Sequence, residues 1–273
     1  MSKFMVRTLS GIVLMLILCS AFIVGDYYLW LLFGFISVVG IGELFKATGT
    51  EDGKKLLKYI AIIGCIAYYL VIKFVGADRL DCMFFVIIIT LLALMAACVL
   101  AYPRYSFFDI SKSLFALVYV GVMLSFVYLT RASELGIYMV WLIVISSWGC
   151  DTCAYLVGSA IGKHRLAPVL SPKKSVEGAI GGSLGSGLIA AIYGYVLYKM
   201  NFLAMEYIWL LGIICIAASI ASQVGDLMAS AIKREFGVKD YGTLIPGHGG
   251  IMDRFDSMIV TAPIIYFLGA FLK

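Results

Sequence analysis

The chain has 273 residues, of which 63% are hydrophobic and 14% charged, and its formal net charge is +5. Soluble globular domains are about 45–50% apolar and about 25% charged, so this composition excludes an ordinary soluble domain. The apolar runs are long and continuous rather than alternating, which favours membrane-spanning helices over a β-barrel. The sequence therefore predicts an all-α polytopic integral membrane protein with about nine transmembrane helices.

Lysine and arginine are denser in alternate connections, namely before the first predicted span and after the second, fourth, sixth and eighth. Cytoplasmic loops carry this excess, so we expect a cytoplasmic N-terminus and an outside C-terminus. The first apolar run has no convincing cleavage site, and we expect it to be retained as a helix. Without soluble extensions, the chain is expected in a bacterial inner membrane. The predicted spans are 8–25, 27–45, 56–75, 82–102, 112–130, 135–160, 178–199, 203–231 and 251–272.

Chemistry-bearing residues concentrate in the second half of the chain. Residues 1–135 are predicted to hold five spans that act as scaffold, dimer contact or lipid access, and residues 136–273 are predicted to be the catalytic region. Glu43, late in the second span, is interpreted as an interfacial carboxylate. The seven cysteines lie almost all in apolar runs and are interpreted as buried apolar residues. Cys150 and Cys153 form a C-x-x-C pair, but no soluble βαβ context supports a redox role.

The sixth span ends with Asp151 inside an apolar run. An aspartate within a span costs about 2.5–3.5 kcal/mol on insertion scales, so it usually faces a polar cavity. Two interpretations stay open for Asp151: a structural ion pair with a lysine or arginine, or a place in the wall of an active site.

The loop after the sixth span carries Ser171, Lys173 and Lys174 just before a new helix that begins near Glu177. A helix N-terminus with nearby lysines can bind an anion, although a basic loop that only touches anionic lipid is the alternative. The small residues of 178–187 recur at helical spacing and predict close helix packing. They do not predict a phosphate loop, because no Gly-Lys-Ser/Thr follows.

The eighth span carries Ser222, Gln223 and Asp226 at spacings that place them on one helical face, and it ends with Lys233 and Arg234. Polar side chains along a lipid-embedded helix must face a cavity or the interior of a helix bundle. This stripe therefore predicts a polar cavity near the end of the span.

The last loop and the start of the last span hold another polar cluster. Its glycines permit positive φ, so that their amides can face an anion. Carboxylates brought together repel one another unless a cation lies among them, and Mg²⁺ prefers carboxylate, water and phosphate oxygens. The histidine has no second histidine or cysteine at ligand spacing, so a phosphate contact is favoured over zinc. The cluster comprises Lys239, Asp240, His248, Gly249, Gly250, Asp253, Arg254 and Asp256.

Three stretches of this sequence resemble the phosphatidate cytidylyltransferase family, whose members are also called CDP-diacylglycerol synthases. A serine, Ser175, stands where the family pattern has threonine, which keeps the hydroxyl group. The matching stretches are Ser230-Ala-Ile-Lys-Arg-x4-Lys239-Asp240-x-Gly242-x2-Ile245-Pro246-x-His248-Gly-Gly-Ile-x-Asp253-Arg254-Phe-Asp256, Ser222-Gln-x-Gly-Asp226 and Gly162-Lys-His-x-Leu-x-Pro-x-x-Ser171-Pro-Lys-Lys-Ser-x-Glu177-Gly.

The resemblance implies a multi-span enzyme, commonly a homodimer, that converts CTP and phosphatidic acid into CDP-diacylglycerol and pyrophosphate with Mg²⁺. It implies that Asp226 and Asp253 hold the metal, and we expect Asp256 to assist. One or two metal ions are expected, the second of which can be monovalent. We expect catalysis to involve Asp226, Asp253, Lys233 and Arg234. The expected substrate-binding residues are Asp151, Ser171, Lys173, Lys174, Glu177, Ser222, Gln223, Lys239, Asp240, His248, Gly249, Gly250 and Arg254.

Two other functions remain possible on the residues alone. A related nucleotide-dependent enzyme could act on an isoprenoid or ether lipid. The polar residues barely distinguish this function from cytidylyl transfer to phosphatidic acid. An ion-coupled transporter could use Asp151 and Asp226 as an intramembrane relay. Transport sites usually lie near the bilayer midplane, whereas this cluster gathers at span ends and loops, which favours an enzyme. Nothing predicts a nucleic-acid partner.

Overall fold

The computed structural model describes residues 3–49, 55–76 and 78–272. Nine helical segments in these ranges are long and apolar enough to cross a membrane, which confirms the predicted fold class of a polytopic all-α membrane protein. The spans are Met5–Val24, Asp26–Ala47, Lys55–Val75, Leu80–Leu100, Phe107–Ala132, Gly136–Ile161, Val176–Lys199, Tyr207–Glu235 and Met252–Leu272.

The fifth span begins five residues before the predicted start at residue 112, because local hydrogen bonding rather than hydropathy sets its N-terminus. The Ser106 hydroxyl accepts from the Asp109 amide, and the Asp109 carboxylate accepts from the Ser106 amide at 2.8 Å. This capping box satisfies two amides that the first turn of the helix leaves unpaired. The helix therefore starts at Phe107.

The chain forms two compact units: Met1–Ala132 with Glu235–Phe255, and Ser133–Arg234 with Asp256–Lys273. The predicted functional division into 1–135 and 136–273 stays a prediction. The compact units differ from it because the last loop, 235–255, groups with the N-terminal spans.

The first unit is built from six α-helices, with π-helical turns after α3 and between α5 and α6. Its aromatic core includes Phe33, whose ring stacks on Phe22 with centroids 6.4 Å apart and meets the Phe255 ring edge-on at 6.1 Å. Phe255 thereby ties the end of the last loop to the N-terminal spans. The helices are α1 (Lys3–Val24), α2 (Asp26–Ala47), α3 (Lys55–Leu70), α4 (Leu80–Leu100), α5 (Phe107–Ala116) and α6 (Met123–Ala132).

The second unit contains four further helices, a two-stranded hairpin and most of a last helix that starts in the first unit. A π-helical turn joins α7 to α8. Its elements are α7 (Gly136–Val144), α8 (Cys150–Ile161), β1 (Arg165–Ala167), β2 (Ser171–Ser175), α9 (Val176–Lys199), α10 (Tyr207–Glu235) and α11 (Met252–Gly269).

Small residues bring α8 and α9 into close contact, as the sequence predicted. A Cβ atom added at Gly182 would lie 2.9 Å from the Ala154 Cβ and from the Cys150 carbonyl oxygen. One added at Gly178 would lie 2.8 Å from the Ala154 carbonyl oxygen. The prediction of helix packing for this glycine stripe is confirmed.

The hairpin was not predicted from the sequence, in which Pro168 lies between the two strands and Pro172 lies within β2. Strands β1 and β2 are antiparallel, with Arg165 opposite Ser175 and Ala167 opposite Ser171. Proline is tolerated at the edge of a sheet, and both strands of a two-stranded hairpin are edges. The hairpin leads directly into α9, whose first turn is capped by the Ser175 hydroxyl, which accepts from the Gly178 amide at 3.1 Å.

Candidate active site

A cavity of about 410 Å³ lies within the second unit, between α8, the hairpin, α9 and α10. Its volume falls in the range of small-molecule sites. Gly158, Gly178 and Ala179 line part of its wall and leave room because they carry little or no side chain. The polar and aromatic residues that line it are Asp151, Tyr155, Ser159, Lys173, Lys174, Ser175, Gln223 and Asp226.

Lys174 and Asp226 form an ion pair in this cavity, although they are 52 positions apart in the sequence. The Lys174 Nζ donates to the Asp226 Oδ2, and the two side chains are 25% and 24% exposed. The second strand of the hairpin thus brings a predicted phosphate-binding lysine to a predicted metal-binding carboxylate. Since both groups remain partly exposed, an incoming ligand can reach them.

Two further carboxylates lie at the start of α11 and on α8. The Ser257 hydroxyl donates to the Asp151 Oδ2 at 3.4 Å, and the Ser257 amide donates to the Asp256 Oδ1 at 2.7 Å. Asp256 is only 8% exposed and lies within electrostatic range of Asp226, Asp151 and Lys233. The second unit therefore groups three carboxylates with two lysines.

This group of carboxylates has the donor chemistry that a hard divalent cation requires. No set of three or more histidine, cysteine, aspartate or glutamate side chains converges to hold a metal in the described ranges. Mg²⁺ needs no such set, since it is typically bound by one or two carboxylates together with water and substrate phosphates. In the structure the Lys174 ammonium group neutralises the charge of Asp226.

Gln223 and Ser222 sit on α10 with different surroundings. The Gln223 Nε2 donates to the Ser183 Oγ at 2.9 Å and to the Ala179 carbonyl at 3.1 Å, so this side chain ties α10 to α9 at the cavity wall. Ser222 is fully buried, and its hydroxyl has no hydrogen-bond partner within the part of the chain that the structure describes.

Asp253 belongs to the first unit, where it holds the last loop together. Its Oδ2 accepts from the Tyr241 amide at 2.8 Å and from the Gly250 amide at 3.0 Å. The Gly250 amide, which was expected to face an anion, therefore donates its hydrogen bond to the Asp253 carboxylate. Gly247 and Gly249 adopt positive φ values of 76° and 87°, as the glycine pattern indicated.

Glu43 reaches the same loop, and this contact was not predicted from the sequence. Its Oε1 accepts from the Ile251 amide at 3.0 Å, and its Oε2 accepts from the Met252 amide at 2.9 Å. Helix N-termini leave amides unpaired and favour a negative charge. At the start of α11 the Glu43 carboxylate supplies the acceptors for two of these amides, so its hydrogen-bond partners are backbone amides of the last loop.

His248 contacts α1 in the first unit. Its Nδ1 lies 2.8 Å from the Ser10 Oγ, which also lies 2.9 Å from the Pro246 carbonyl oxygen. Burial lowers the pKa of His248, and the positive charges of Arg254 and Arg7 lower it further. The imidazole is thus neutral at neutral pH and acts as a hydrogen-bonding group.

The remaining predicted residues are not among those that line the 410 Å³ cavity. The Glu177 carboxylate accepts from the Lys163 amide at 3.1 Å and lies 2.6 Å from the His164 Nδ1, so it anchors the start of the hairpin. Ser171, Lys233 and Arg254 are partly exposed, and Arg234, Lys239 and Asp240 are exposed. Their roles in substrate binding or catalysis stay predictions.

Tyr155 was not predicted as a site residue, although it lines the cavity with 74% of its surface exposed. The sequence spacing could have identified Tyr155, because it follows Asp151 by four residues and so shares a helical face with it. Glu43 and Ser10 gave no such local signal, since their partners lie more than 200 positions away.

Comparison with known proteins defines the class to which this molecule belongs. The model of the cytidylyltransferase family matches residues 5–272, and the chain belongs to that family. The family resemblance and the nucleotidyltransferase class predicted from the motifs are thereby confirmed.

Among individual proteins, the chain is 35% identical over 269 residues to the phosphatidate cytidylyltransferase of Staphylococcus haemolyticus, strain JCSC1435. It shows the same identity over 269 residues to that of Staphylococcus epidermidis, strain ATCC 12228 / FDA PCI 1200, and 33% identity to that of Staphylococcus aureus, strain COL. Each match covers 96% of this chain and 98% of the relative.

Proposed function

We propose that this protein transfers the cytidylyl group of CTP to the phosphate of phosphatidic acid, forming CDP-diacylglycerol and releasing pyrophosphate. Family membership and the names of the relatives support the reaction. The structural observation that supports it best is the 410 Å³ cavity, where Asp151, Lys173, Lys174 and Asp226 meet. Carboxylates beside lysines are what a nucleotide and its cation need.

In the proposed reaction an oxygen of the lipid phosphate attacks the α-phosphorus of CTP. The new P–O bond forms as the bond to the β-phosphate oxygen breaks, and pyrophosphate leaves with that electron pair. The attacking phosphate is already anionic at neutral pH, so no general base is required. Lys173 and Lys174 neutralise phosphate charge and hold the reacting groups in line. Lys174 exchanges Asp226 for a phosphate oxygen when the nucleotide binds.

On the resemblance, we assign Mg²⁺ to Asp226 and Asp253, with Asp256 assisting, and we assign no coordination geometry. When bound, Mg²⁺ supplies positive charge that offsets the charge of the triphosphate. Release of Asp226 from Lys174 would make its carboxylate oxygen available to the cation. The family resemblance alone supports two further parts of the proposal. These are a second metal ion, divalent or monovalent, and a homodimeric state.

We place the reaction on the cytoplasmic side of a bacterial inner membrane. The chain is an integral membrane protein, and the basic loops that face the cytoplasm by the positive-inside rule include the one that carries Lys173 and Lys174. CTP is a cytoplasmic metabolite, which agrees with this side.

The test is pyrophosphate release by the purified protein in lipid nanodiscs, with CTP, phosphatidic acid and Mg²⁺ each omitted in turn. We expect release only when all three are present. A panel of isoprenoid and ether-lipid phosphates in place of phosphatidic acid checks the lipid class, and a faster rate with one of these would overturn the assignment of phosphatidic acid.

Asp226→Asn should lower turnover by at least a hundredfold at saturating substrates, because the cation loses a charged ligand. Asp81→Asn is the matched control, since Asp81 pairs with Arg79 at an exposed site. Turnover of folded Asp226→Asn at the parent rate, with the parent dependence on Mg²⁺, would contradict the metal assignment.

A further inference from the structure

A second and larger cavity lies within the first unit, on the exposed side of α1. It has a volume of about 820 Å³, and all but one of its lining residues come from α1. The other residue is His248, from the last loop. The groove therefore runs along a membrane-spanning helix and ends at a residue of the family motif.

One end of this groove is polar and held in place by the loop. A Cβ atom added at Gly247 would lie 2.6 Å from the Arg7 Cγ, and one added at Gly11 would lie 3.4 Å from the His248 Cε1. Glycine at both positions lets the loop lie directly on α1. Ser10 completes the contact through its short approach to the His248 Nδ1. The loop thereby fixes the position of the imidazole beside Arg7.

Arg7 is exposed, and no carboxylate in the described part of its unit forms an ion pair with it. The adjacent His248 is neutral, because burial and the nearby arginines disfavour its protonated form. In the tautomer whose Nδ1 accepts from Ser10, the Nε2 carries the proton and can donate to an anion. This end of the groove thus offers a guanidinium fork and a neighbouring imidazole donor.

The rest of the groove is apolar. Ile12, Met15 and Leu16 line it and are 51%, 44% and 64% exposed, whereas Leu18 and Phe22, farther along α1, are buried. An apolar channel that begins at an arginine with no carboxylate partner among the described residues matches an amphiphile with an anionic head and a hydrocarbon tail.

We propose that this groove binds the phosphatidic acid substrate before reaction, with the lipid phosphate on Arg7 and His248 and one acyl chain along Ile12, Met15 and Leu16. The proposal rests on the proposed function for the identity of the lipid. A phosphate monoester has three terminal oxygens, enough for a two-pronged arginine contact and a histidine contact together. A phosphodiester headgroup offers only two and is crowded by its second ester.

Binding can be measured without turnover. The Leu16→Trp variant carries a tryptophan in the groove and is reconstituted in phosphatidylcholine nanodiscs. The nanodiscs also contain a lipid with brominated acyl chains, which quench indole fluorescence on contact. The unsubstituted protein, with its four tryptophans, gives the background. We expect brominated phosphatidic acid to quench at a mole fraction about tenfold lower than brominated phosphatidylcholine. The further change Arg7→Gln should remove this difference.

The matched control is Ile88→Trp, at a residue of α4 that is 53% exposed and does not line the groove. Both brominated lipids should quench it equally. Equal quenching of the Leu16→Trp variant by the two lipids would overturn the proposal, whether or not the protein makes CDP-diacylglycerol.

A kinetic measurement separates this proposal from the proposed function. Arg7→Gln should raise the KM for phosphatidic acid about tenfold and leave the KM for CTP unchanged, whereas Arg104→Gln, a change at an exposed loop arginine, should alter neither. Normal activity of Arg7→Gln with an unchanged lipid KM would refute the groove alone. Absence of activity in the unsubstituted protein, with selective quenching retained, would refute the proposed reaction alone.

Discussion

The acidic residues of this protein differ chiefly in what neutralises them. Asp226 forms an ion pair with the Lys174 ammonium group, whereas Asp253 and Glu43 accept hydrogen bonds from backbone amides. An ion pair with a flexible lysine can open when a ligand arrives, but amide hydrogen bonds fix the shape of a loop. At this scale Asp226 is suited to exchange partners, and Glu43 is suited to position the residues around it.

Replacing Glu43 by glutamine should destabilise the protein and slow the reaction. The glutamine has one carbonyl oxygen, so one of the two amides of Ile251 and Met252 loses its acceptor in a buried place. The loss of a buried hydrogen bond costs about 1–3 kcal/mol. We expect a lower thermal midpoint and reduced kcat, measured in detergent and nanodiscs, while Glu134→Gln at an exposed site leaves both unchanged. Parent-like stability of Glu43→Gln would show that the two amides do not depend on this carboxylate.

Tyr155 should contribute to nucleotide binding, given the proposed function. Its exposed ring lines the cavity, and stacking of a base on an aromatic ring is worth about 1–3 kcal/mol. Tyr155→Leu should raise the KM for CTP about tenfold and leave that for phosphatidic acid unchanged. Tyr155→Phe keeps the ring and serves as the control. A similar rise in the phenylalanine variant would indicate that the hydroxyl, and not stacking, is used.

Among the elements, the pair α8 and α9 determines the shape of the candidate site. Its glycines place one helix backbone against the other, and the cavity opens where α8 carries Asp151 and Tyr155. The hairpin then carries Lys173 and Lys174 to the opening. Hydropathy predicted the two helices, and the spacing of small residues predicted their contact. The hairpin depends on pairing between strands, which the sequence did not indicate.

A larger residue at Gly182 should separate these helices. The Cβ atom of a valine would come within 2.9 Å of Ala154 and of the Cys150 carbonyl, and overpacking of this kind costs about 1–3 kcal/mol. We expect Gly182→Val to lower the thermal midpoint and to weaken CTP binding measured by calorimetry. Ile180→Val, on the exposed face of α9, should change neither. Unaltered CTP binding in the Gly182→Val variant would show that the shape of the cavity does not depend on this helix contact.

For the whole molecule, the nine spans among the described residues constrain the membrane topology. An odd number of spans places the two ends of a chain on opposite sides, and the distribution of lysine and arginine predicts that the N-terminus lies inside. Each compact unit then has its own chemistry: carboxylates and lysines in the second, and the motif loop with the α1 groove in the first.

Reporter fusions test this topology. Green fluorescent protein at the N-terminus should fluoresce, whereas at the C-terminus it should remain dark, because it folds poorly after export in unfolded form. Alkaline phosphatase, which is active only outside the cytoplasm, should give the reverse result at the C-terminus. Fluorescence of the C-terminal fusion with an inactive phosphatase fusion would refute either the span count or the orientation.

The sequence by itself determined the fold class, the approximate spans, the family and most polar residues of the second-unit cavity, because burial in a bilayer demands long apolar helices and phosphate chemistry demands particular charged residues close to helix ends. Tertiary structure alone decided the partners of those residues. Lys174 meets Asp226 through the hairpin, and Glu43 and Ser10 reach the last loop across more than 200 positions. Contacts between residues so distant in the chain arise from helix packing, which leaves no periodicity or local motif to read.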